Sequence, residues 1–252
     1  MSLVNEKKKG YNQLVLRSIA MICTVLAIAS HTVAPTLRYF GYLEWVAFPI
    51  FAYLLAEGLD KTMSRGLYGA RLFLFAILSE VPYDLMMSGR TMDYRQQNVL
   101  FTLFIGYIII LLVDTVRTKA DNLVLTIAAE VGGLFFGRYM ISGLRCAYPR
   151  FAMAFIMLFY VARHVRYEKL MELIVTLVIA IYFSNQTFAT PKINGLQYDL
   201  SVQFFAVIAL LLIWGYSGER GSNKLIVRYI SYAFFPVSIL LFWYLASQGV
   251  IY

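Results

Sequence analysis

The stretch NVLFTLFIGYIIILLVDTV, residues 98–116, decides the fold class of this chain. Its one charged residue is Asp114, and an α-helix needs about 20 apolar residues to cross the hydrocarbon of a bilayer. Similar runs recur on both sides of it. The sequence therefore predicts an all-α, polytopic integral membrane bundle with about nine transmembrane helices, at about 14–30, 43–59, 67–87, 98–116, 122–141, 149–165, 169–184, 199–216 and 226–246.

Composition supports the same class. Of the 252 residues, 60% are hydrophobic and 14% are charged, and the mean hydropathy is +0.68. Soluble domains are about half apolar and a quarter charged, so a water-soluble enzyme and a disordered chain are both excluded. The two cysteines, Cys23 and Cys146, cannot form a disulfide framework. No repeat or soluble module interrupts the pattern, and we treat residues 1–252 as a single domain.

The basic residues indicate orientation rather than a nucleic-acid partner. The net charge is +8, yet most Lys and Arg lie in short gaps between apolar runs, where they set topology. With a cytoplasmic N-terminus, the outer segments hold Arg38, Arg90, Arg95, Arg138, Arg145, Arg150 and Lys192. The larger inner set is Lys7, Lys8, Lys9, Arg17, Lys61, Arg65, Arg71, Arg117, Lys119, Arg163, Arg166, Lys169, Arg220, Lys224 and Arg228. We therefore expect the N-terminus in the cytoplasm and no nucleic-acid binding.

Two ionisable residues of the first span are candidates for function, because charge at membrane depth is costly. His31 lies near the outer end, in LAIASHTVAP, and histidine readily exchanges protons near neutral pH. Arg17 comes fourteen residues earlier, which places it on the same helix face about 21 Å away. Together they would line one path through the membrane. The alternative is an Arg that extends to the membrane surface and an interfacial His.

Acidic residues form a second group of candidates. Glu57 ends the second span, with Lys61 and Arg65 following at spacings of four, which is also the pattern of a solvated helix end with ion pairs. Glu80 and Asp84 share a face of the third span and suit acid–base chemistry or a cation, or else pair with Arg90 or Arg95. Glu130 would pair with a cation on a neighbouring helix. No grouping predicts a metal site.

Several segments, taken in order, resemble the TraX family of membrane acetyltransferases. They are HTVAPTLRYFGYLEWVAFPIFAYLLAEGLDKT (31–62), LYGARLFLFAILSEVPYDL (67–85), NVLFTLFIG (98–106), YSGERG (216–221) and RYISYAFFPVSILLF (228–242). The densest similarity lies in residues 48–71, whereas residues 120–200 match only in hydropathy. Members acetylate the N-terminus of conjugative pilin subunits, and the first span is similar to that of the wider transmembrane acyltransferases.

The resemblance implies an acetyltransferase that uses acetyl-CoA, needs no metal and sits in a bacterial inner or plasma membrane. The acceptor would be an amine or hydroxyl, on a pilin-like peptide N-terminus or a cell-surface glycan. His31 becomes the catalytic residue, as general base or nucleophile, with Glu57 grouped beside it. The remaining family positions are the CoA-phosphate candidates Arg17, Arg65 and Arg71 and the motif positions Glu80, Asp84, Asn98 and Thr102.

The chain departs from the family pattern at two places. Ser30 stands where the family has an Asp before the histidine, and Pro236–Val237–Ser238 replaces a Pro-x-His. These departures keep open a catalytically silent family member that acts in surface assembly. A small-solute transporter is a further alternative, although transporters usually show paired repeats. Retained CoA binding without turnover would identify the former, and solute flux without CoA the latter.

Overall fold

The computed structural model describes residues 10–32, 35–183, 187–189, 199–222 and 224–248. Short 3-10 helices span Pro35–Leu43 and Val202–Phe204, and two three-residue strands, β1 (Thr187–Ala189) and β2 (Asp199–Ser201), pair antiparallel. The described part of the chain is otherwise helical. Its nine α-helices are α1 (Gln13–Thr32), α2 (Glu44–Lys61), α3 (Arg65–Ser88), α4 (Val99–Ala120), α5 (Leu123–Gly143), α6 (Ala152–Ala162), α7 (Glu168–Tyr182), α8 (Phe205–Trp214) and α9 (Leu225–Ser247).

Each predicted apolar run contains one of these helices, but the lengths differ from the prediction at two of them. Among the described residues, five helical segments are long and apolar enough to cross a membrane: Gln13–Thr32, Tyr39–Lys61, Val99–Ala120, Leu123–Gly143 and Tyr229–Ser247. By contrast, α6 has 11 residues and α8 has 10. Helices of that length rise about 16 Å, roughly half of the hydrocarbon thickness. Neither α6 nor α8 is therefore a full spanning helix by itself.

The short helix α6 lies in the core of the protein. All but two of its residues are buried, and Phe155 and Phe159 are among the largest fully buried side chains. A helix that is apolar on every side is buried either in protein or in lipid. Hydropathy alone does not separate the two cases. The helix that forms is shorter than the span predicted at 149–165.

Helix α2 is central and packs against α1, α4, α6 and α8. It runs antiparallel to α1, because Gln13 at the start of α1 bonds Glu57 at the end of α2 (Nε2 to Oε2, 3.0 Å). At the opposite ends, Gly41 lies against the His31 ring. Helix α3 in turn runs antiparallel to α4, since Arg65 at its start pairs with Asp114 near the end of α4. Neighbouring ends therefore bring distant parts of the sequence together.

The glycines that interrupt the fifth apolar run allow close packing rather than ending the helix. Helix α5 is continuous from Leu123 to Gly143. A Cβ on Gly137 would lie 2.6 Å from Met153 Sδ, and one on Gly133 would lie 2.9 Å from Val113 Cγ2. The glycine face of α5 therefore packs on α4 and α6, and larger residues there would separate the helices.

A turn between α8 and α9 packs against the residues at the start of α1. The Tyr11 amide donates to the Gly215 carbonyl (3.3 Å), and the Ser217 amide donates to the Tyr11 carbonyl (2.9 Å). Gly218 has φ +85° and Gly221 has φ +78°, a backbone conformation that favours glycine. This turn is the YSGERG segment of residues 216–221, and it is fixed at the start of α1.

Candidate functional site

A large cavity of about 890 Å³ runs between α1, α2, α3, α4 and α9. Cavities of this size accommodate drug-sized ligands and cofactors. We call one end the cationic end, lined by Arg17, Lys61, Arg71 and Arg220. We call the other the histidine end, lined by His31, Glu44, Gln96 and Tyr148. Between them the wall is mainly apolar, from residues such as Phe51, Leu55 and Phe235.

The predicted shared face of α1 is confirmed, because Arg17 and His31 line the same cavity. Arg17 lies in the second turn of α1, and its Nη1 donates to Ser231 Oγ on α9 (3.2 Å). A guanidinium has five N–H donors, so one such bond leaves capacity for an anion. Arg71 of α3 donates from Nε to the Leu67 carbonyl (2.9 Å) and also lines the cavity.

Glu57 supports the cationic end from behind rather than lining it. The carboxylate is buried, with Lys61 Nζ 2.7 Å from Oε1 and the Tyr216 hydroxyl donating to Oε2 at 3.2 Å. Lys61 also donates to the Gly218 carbonyl, and Arg220 donates to the Lys61 carbonyl. Glu57 therefore joins α2 to α1 and to the YSGERG turn, and it holds the Lys61 ammonium in place.

Arg65 lies outside the cavity lining. Its Nη1 is 2.7 Å from Asp114 Oδ2, and Asp114 also accepts a hydrogen bond from Tyr160 (3.2 Å). The Tyr107 hydroxyl donates to the Arg65 carbonyl (2.8 Å). The Arg65 side chain thus connects the start of α3 to α4. Of the three arginines that the sequence nominated for phosphates, the structure brings Arg17 and Arg71 together on the cavity wall.

At the histidine end, His31 packs against the backbone of the Pro35–Leu43 helix. A methyl group on Gly41 would lie 3.0 Å from both Cε1 and Nε2 of the His31 ring. Glycine is therefore what allows the imidazole to approach this segment so closely. Ser30, the preceding residue, is buried, and its hydroxyl donates to the Ala27 carbonyl (2.8 Å).

Three of the motif positions join α3 to α4 and to the loop between these helices. Asn98 caps α4, with its Oδ1 accepting from the Leu100 amide (3.0 Å), and its side-chain amide donates to Glu80 and to the Ala76 carbonyl. The buried Asp84 carboxylate accepts from the Asp93 amide (2.8 Å). Glu80 and Asp84 therefore bond Asn98 and Asp93, and not the arginines considered as alternatives.

That loop is ordered by its own charges. Asp93 Oδ1 accepts from the Arg95 amide at 3.1 Å and lies 3.3 Å from Arg95 Nε. The backbone hydrogen bond from Arg95 lowers the pKa of Asp93 below its usual value, with the Arg95 and Arg90 charges adding to the effect. The loop thus turns back from α3 to the start of α4 beside the histidine end.

Thr102 supports the histidine end from α4. Its hydroxyl donates to the Ala147 carbonyl (2.7 Å), which directly precedes Tyr148. The Ala147 amide also donates to the Gln97 carbonyl (3.1 Å). Thr102 therefore holds the segment that places Tyr148 on the cavity wall, a contact between residues 45 positions apart that sequence spacing does not indicate.

Sequence reasoning missed Glu44 and Tyr148 at the histidine end and Arg220 at the cationic end. Glu44 lies inside the family-like segment of residues 31–62, and an acidic residue at the start of an apolar run was an available signal. The predicted pairing of Glu130 is confirmed, with Arg117 Nη1 3.1 Å away. Across the described residues, no three His, Cys, Asp or Glu side chains group as they would around a metal ion.

The arrangement separates two kinds of chemistry. Guanidinium and ammonium groups at the cationic end can bind phosphates through charge-assisted hydrogen bonds. An imidazole beside a carboxylate at the histidine end can accept a proton. The apolar wall between them suits an uncharged linking chain. A long ligand that is anionic at one end and reactive at the other fits this cavity.

Comparison with known proteins identifies the family. The sequence profile of the family described as TraX protein matches residues 12–246. Neither a curated protein nor a solved structure matches the chain. The spanning-length apolar helices and the extent of the family match agree in making it a membrane protein. The chain belongs to the TraX protein family.

Proposed function

We propose that the chain is a membrane-embedded acetyltransferase that moves an acetyl group from acetyl-CoA to an amine or hydroxyl acceptor, such as a pilin-like peptide N-terminus or a cell-surface glycan. The observation that carries the proposal is the continuous cavity with four basic side chains at one end and His31 at the other. The CoA phosphates would bind Arg17 and Arg71, with Lys61 and Arg220 adding positive charge. The thioester would then lie near His31.

The cavity removes a difficulty that the sequence raises. Arg17 and His31 are about 21 Å apart along α1, so no compact ligand contacts both. In acetyl-CoA, however, a long pantetheine arm separates the phosphates from the thioester. The apolar wall lined by Phe51, Leu55 and Phe235 is suited to that arm. Donor binding and chemistry can therefore occupy opposite ends of one cavity.

His31 acts in this proposal as the general base. It takes the proton of the acceptor N–H or O–H as the acceptor attacks the thioester carbonyl. The new bond to the acetyl carbon forms, the C–S bond breaks, and the CoA thiolate recovers the proton from the imidazolium. A thioester is already activated, so the protein mainly supplies positioning and proton transfer.

The proposed topology follows from the same assignment. The N-terminus is cytoplasmic, which places the cationic end on the side where acetyl-CoA is available, and the membrane is a bacterial inner or plasma membrane. The distribution of Lys and Arg between loops supports this orientation. About nine crossings stays a prediction, since five segments of the described residues have spanning length and hydropathy, and α6 and α8 would each need adjoining residues to complete a crossing.

The test uses purified full-length protein, wild type and His31→Ala, with acetyl-CoA and no added acceptor. We expect a saturable thermal shift in both proteins and slow CoA release in the wild type alone, because a general base contributes roughly 10²–10⁴-fold. His164→Ala is the matched control, since His164 is exposed and bonds the Tyr160 carbonyl (2.9 Å) away from the cavity.

The other outcomes separate the alternatives. Binding without CoA release in the wild type, with and without a short peptide carrying a free N-terminal amine, would identify a catalytically silent protein. Absence of any shift at millimolar acetyl-CoA would exclude the enzyme, and solute flux in proteoliposomes would then test transport. CoA release that survives His31→Ala would remove His31 from the chemistry.

A further inference from the structure

Glu44 is a carboxylate at the histidine end that the proposed function does not use. It is the first residue of α2 and, among the described residues, the only acidic side chain that lines the cavity. Its Oε2 accepts a hydrogen bond from the Tyr148 hydroxyl at 3.1 Å. A carboxylate withdrawn from bulk water is costly unless it has partners, so its place beside His31 calls for a reason.

Backbone geometry brings Glu44 to the His31 ring. Gly41, which contacts the ring, and Glu44 are three residues apart, one turn of a 3-10 helix, or about 6 Å along its axis. Leu43 between them has φ −66° and ψ −16°, so the helical path continues into α2 without a break. Glu44 therefore lies on the side of this segment that His31 packs against. The two side chains also interact electrostatically.

Tyr148 holds the carboxylate at a cost in backbone strain. Tyr148 has φ +59°, the left-handed region that a bulky side chain rarely adopts. Its ring packs against Phe48 (5.0 Å between centroids) and Phe151 (5.3 Å). Such strain persists where the surroundings over-determine it, often at functional sites. Here the surroundings are these aromatic rings and the Thr102 bond to the Ala147 carbonyl.

Ser30, which precedes His31 on α1, cannot stabilise a charged imidazole as a carboxylate can. Its hydroxyl is committed to the Ala27 carbonyl (2.8 Å), and a serine carries no charge to offset an imidazolium. Among the described residues, the carboxylate that lines the cavity comes instead from the start of α2.

We propose that Glu44, held by Tyr148, is the positioning residue for His31. Glu44 accepts one imidazole N–H, which orients the ring so that the other nitrogen faces the acceptor. When His31 takes the acceptor proton, Glu44 stabilises the imidazolium, and the proton then passes to the CoA thiolate. This inference rests on the proposed function, because it assigns Glu44 a part in the same proton transfer.

The surrounding charges define what a pH profile would report. Within the described residues, the ionisable side chains on the cavity wall are Arg17, Lys61, Arg71 and Arg220 at the cationic end, Tyr68 and Tyr232 between the ends, and His31, Glu44 and Tyr148 at the histidine end. Of these, Glu44 is the group that carries a negative charge next to His31. Replacing Glu44 by Gln removes that charge and keeps the size of the side chain.

The experiment measures CoA release from acetyl-CoA by purified full-length Glu44→Gln, Glu44→Asp and Tyr148→Phe. For Glu44→Gln we expect kcat to fall at least about 10-fold with acetyl-CoA affinity unchanged, and the pH–rate profile to change because a charge at the histidine end is lost. Glu44→Asp should recover part of the loss. Tyr148→Phe should lower kcat in the same direction by less. Glu172→Gln is the matched control, a buried carboxylate bound to Trp214 Nε1 (2.6 Å) outside the cavity.

Each outcome has a distinct reading. An unchanged kcat and pH profile in Glu44→Gln, beside an inactive His31→Ala, would overturn this inference and leave the proposed function standing. Turnover that survives His31→Ala would overturn both. If Glu44→Gln loses its thermal transition and its acetyl-CoA binding, Glu44→Asp decides: a folded protein with wild-type kcat and profile would overturn the inference, and a partial loss with a shifted profile would support it.

Discussion

The two ends of the cavity are built in different ways. At the cationic end, the buried Glu57 pairs with the Lys61 ammonium and accepts a hydrogen bond from Tyr216, and Arg220 donates to the Lys61 backbone carbonyl. At the histidine end, a close glycine contact and a strained tyrosine set two side chains, His31 and Glu44. Charge at the first end suits affinity for an anion, whereas geometry at the second suits chemistry. Substitutions at the cationic end should therefore change the Kd for acetyl-CoA, and substitutions at the histidine end should change kcat.

The sharpest test of this division is to neutralise the cavity arginines. Arg17→Gln and Arg71→Gln should each raise the Kd for acetyl-CoA about 10-fold, since a hydrogen bond to a charged group contributes about 1.5–3 kcal/mol. CoA release at saturating donor should change little. Calorimetric titration at low salt measures the effect, and added salt should weaken wild-type binding in the same way.

Arg65→Gln is the matched control for these arginines. It removes a guanidinium of the same helix as Arg71, but one that pairs with Asp114 instead of lining the cavity. We expect an unchanged Kd and a lower melting temperature. A Kd increase equal to that of Arg17→Gln would mean that the donor binds elsewhere. Donor binding and chemistry would then not be separated between the two ends of the cavity.

Glu57 tests whether the cationic end depends on its support. Glu57→Ala should lower the free energy of unfolding by about 1–3 kcal/mol, less than a fully buried pair because the Lys61 side chain is 32% exposed. Thermal unfolding in detergent measures the change. Asp60→Ala removes a carboxylate that is 46% exposed and pairs with Arg163 at 2.9 Å, so it should cost about 1 kcal/mol or less. Equal losses of unfolding free energy in the two variants would show that Glu57 contributes no more than a residue of a surface ion pair.

The smallest effect is expected at Gly41. In Gly41→Ala the added methyl would lie 3.0 Å from two atoms of the His31 ring, so the ring must shift by a few tenths of an ångström. We expect a several-fold lower kcat with unchanged acetyl-CoA affinity, because small misplacements of a catalytic group are costly. Gly132→Ala is the control, since a Cβ there meets nothing within 4 Å. Wild-type kcat in Gly41→Ala would show that the close contact is not needed.

Two neighbouring helices show what hydropathy predicts and what it does not predict. Both α5 and α6 come from apolar runs that the sequence assigns to the membrane. Helix α5 has spanning length and exposes large residues such as Phe135 and Tyr139, whereas α6 is short and almost wholly buried. An apolar side chain avoids water equally well in lipid and in protein. Composition therefore predicts the helices but not which of them face the lipid.

In the candidate site, too, some contacts could be predicted from the sequence and others could not. Arg17 and His31 could be placed on one face because they share a helix, whose geometry is periodic. Glu57 with Lys61 follows the same four-residue rule, and the structure contains that pair. Arg65, by comparison, has a partner on α4, and Thr102 bonds a carbonyl beyond α5. Those contacts depend on how helices pack, which no local spacing encodes.

The sequence by itself determined the membrane class, the helical content, the family and the shared face of Arg17 and His31. These follow from local properties, namely the cost of exposing apolar side chains to water, the helix period and the order of motifs. Only the tertiary structure decided that Arg65 pairs with Asp114, that Glu57 supports Lys61, and that Glu44 and Tyr148 lie beside His31. Each of these joins residues on different elements or turns, and such contacts exist only once the helices have packed.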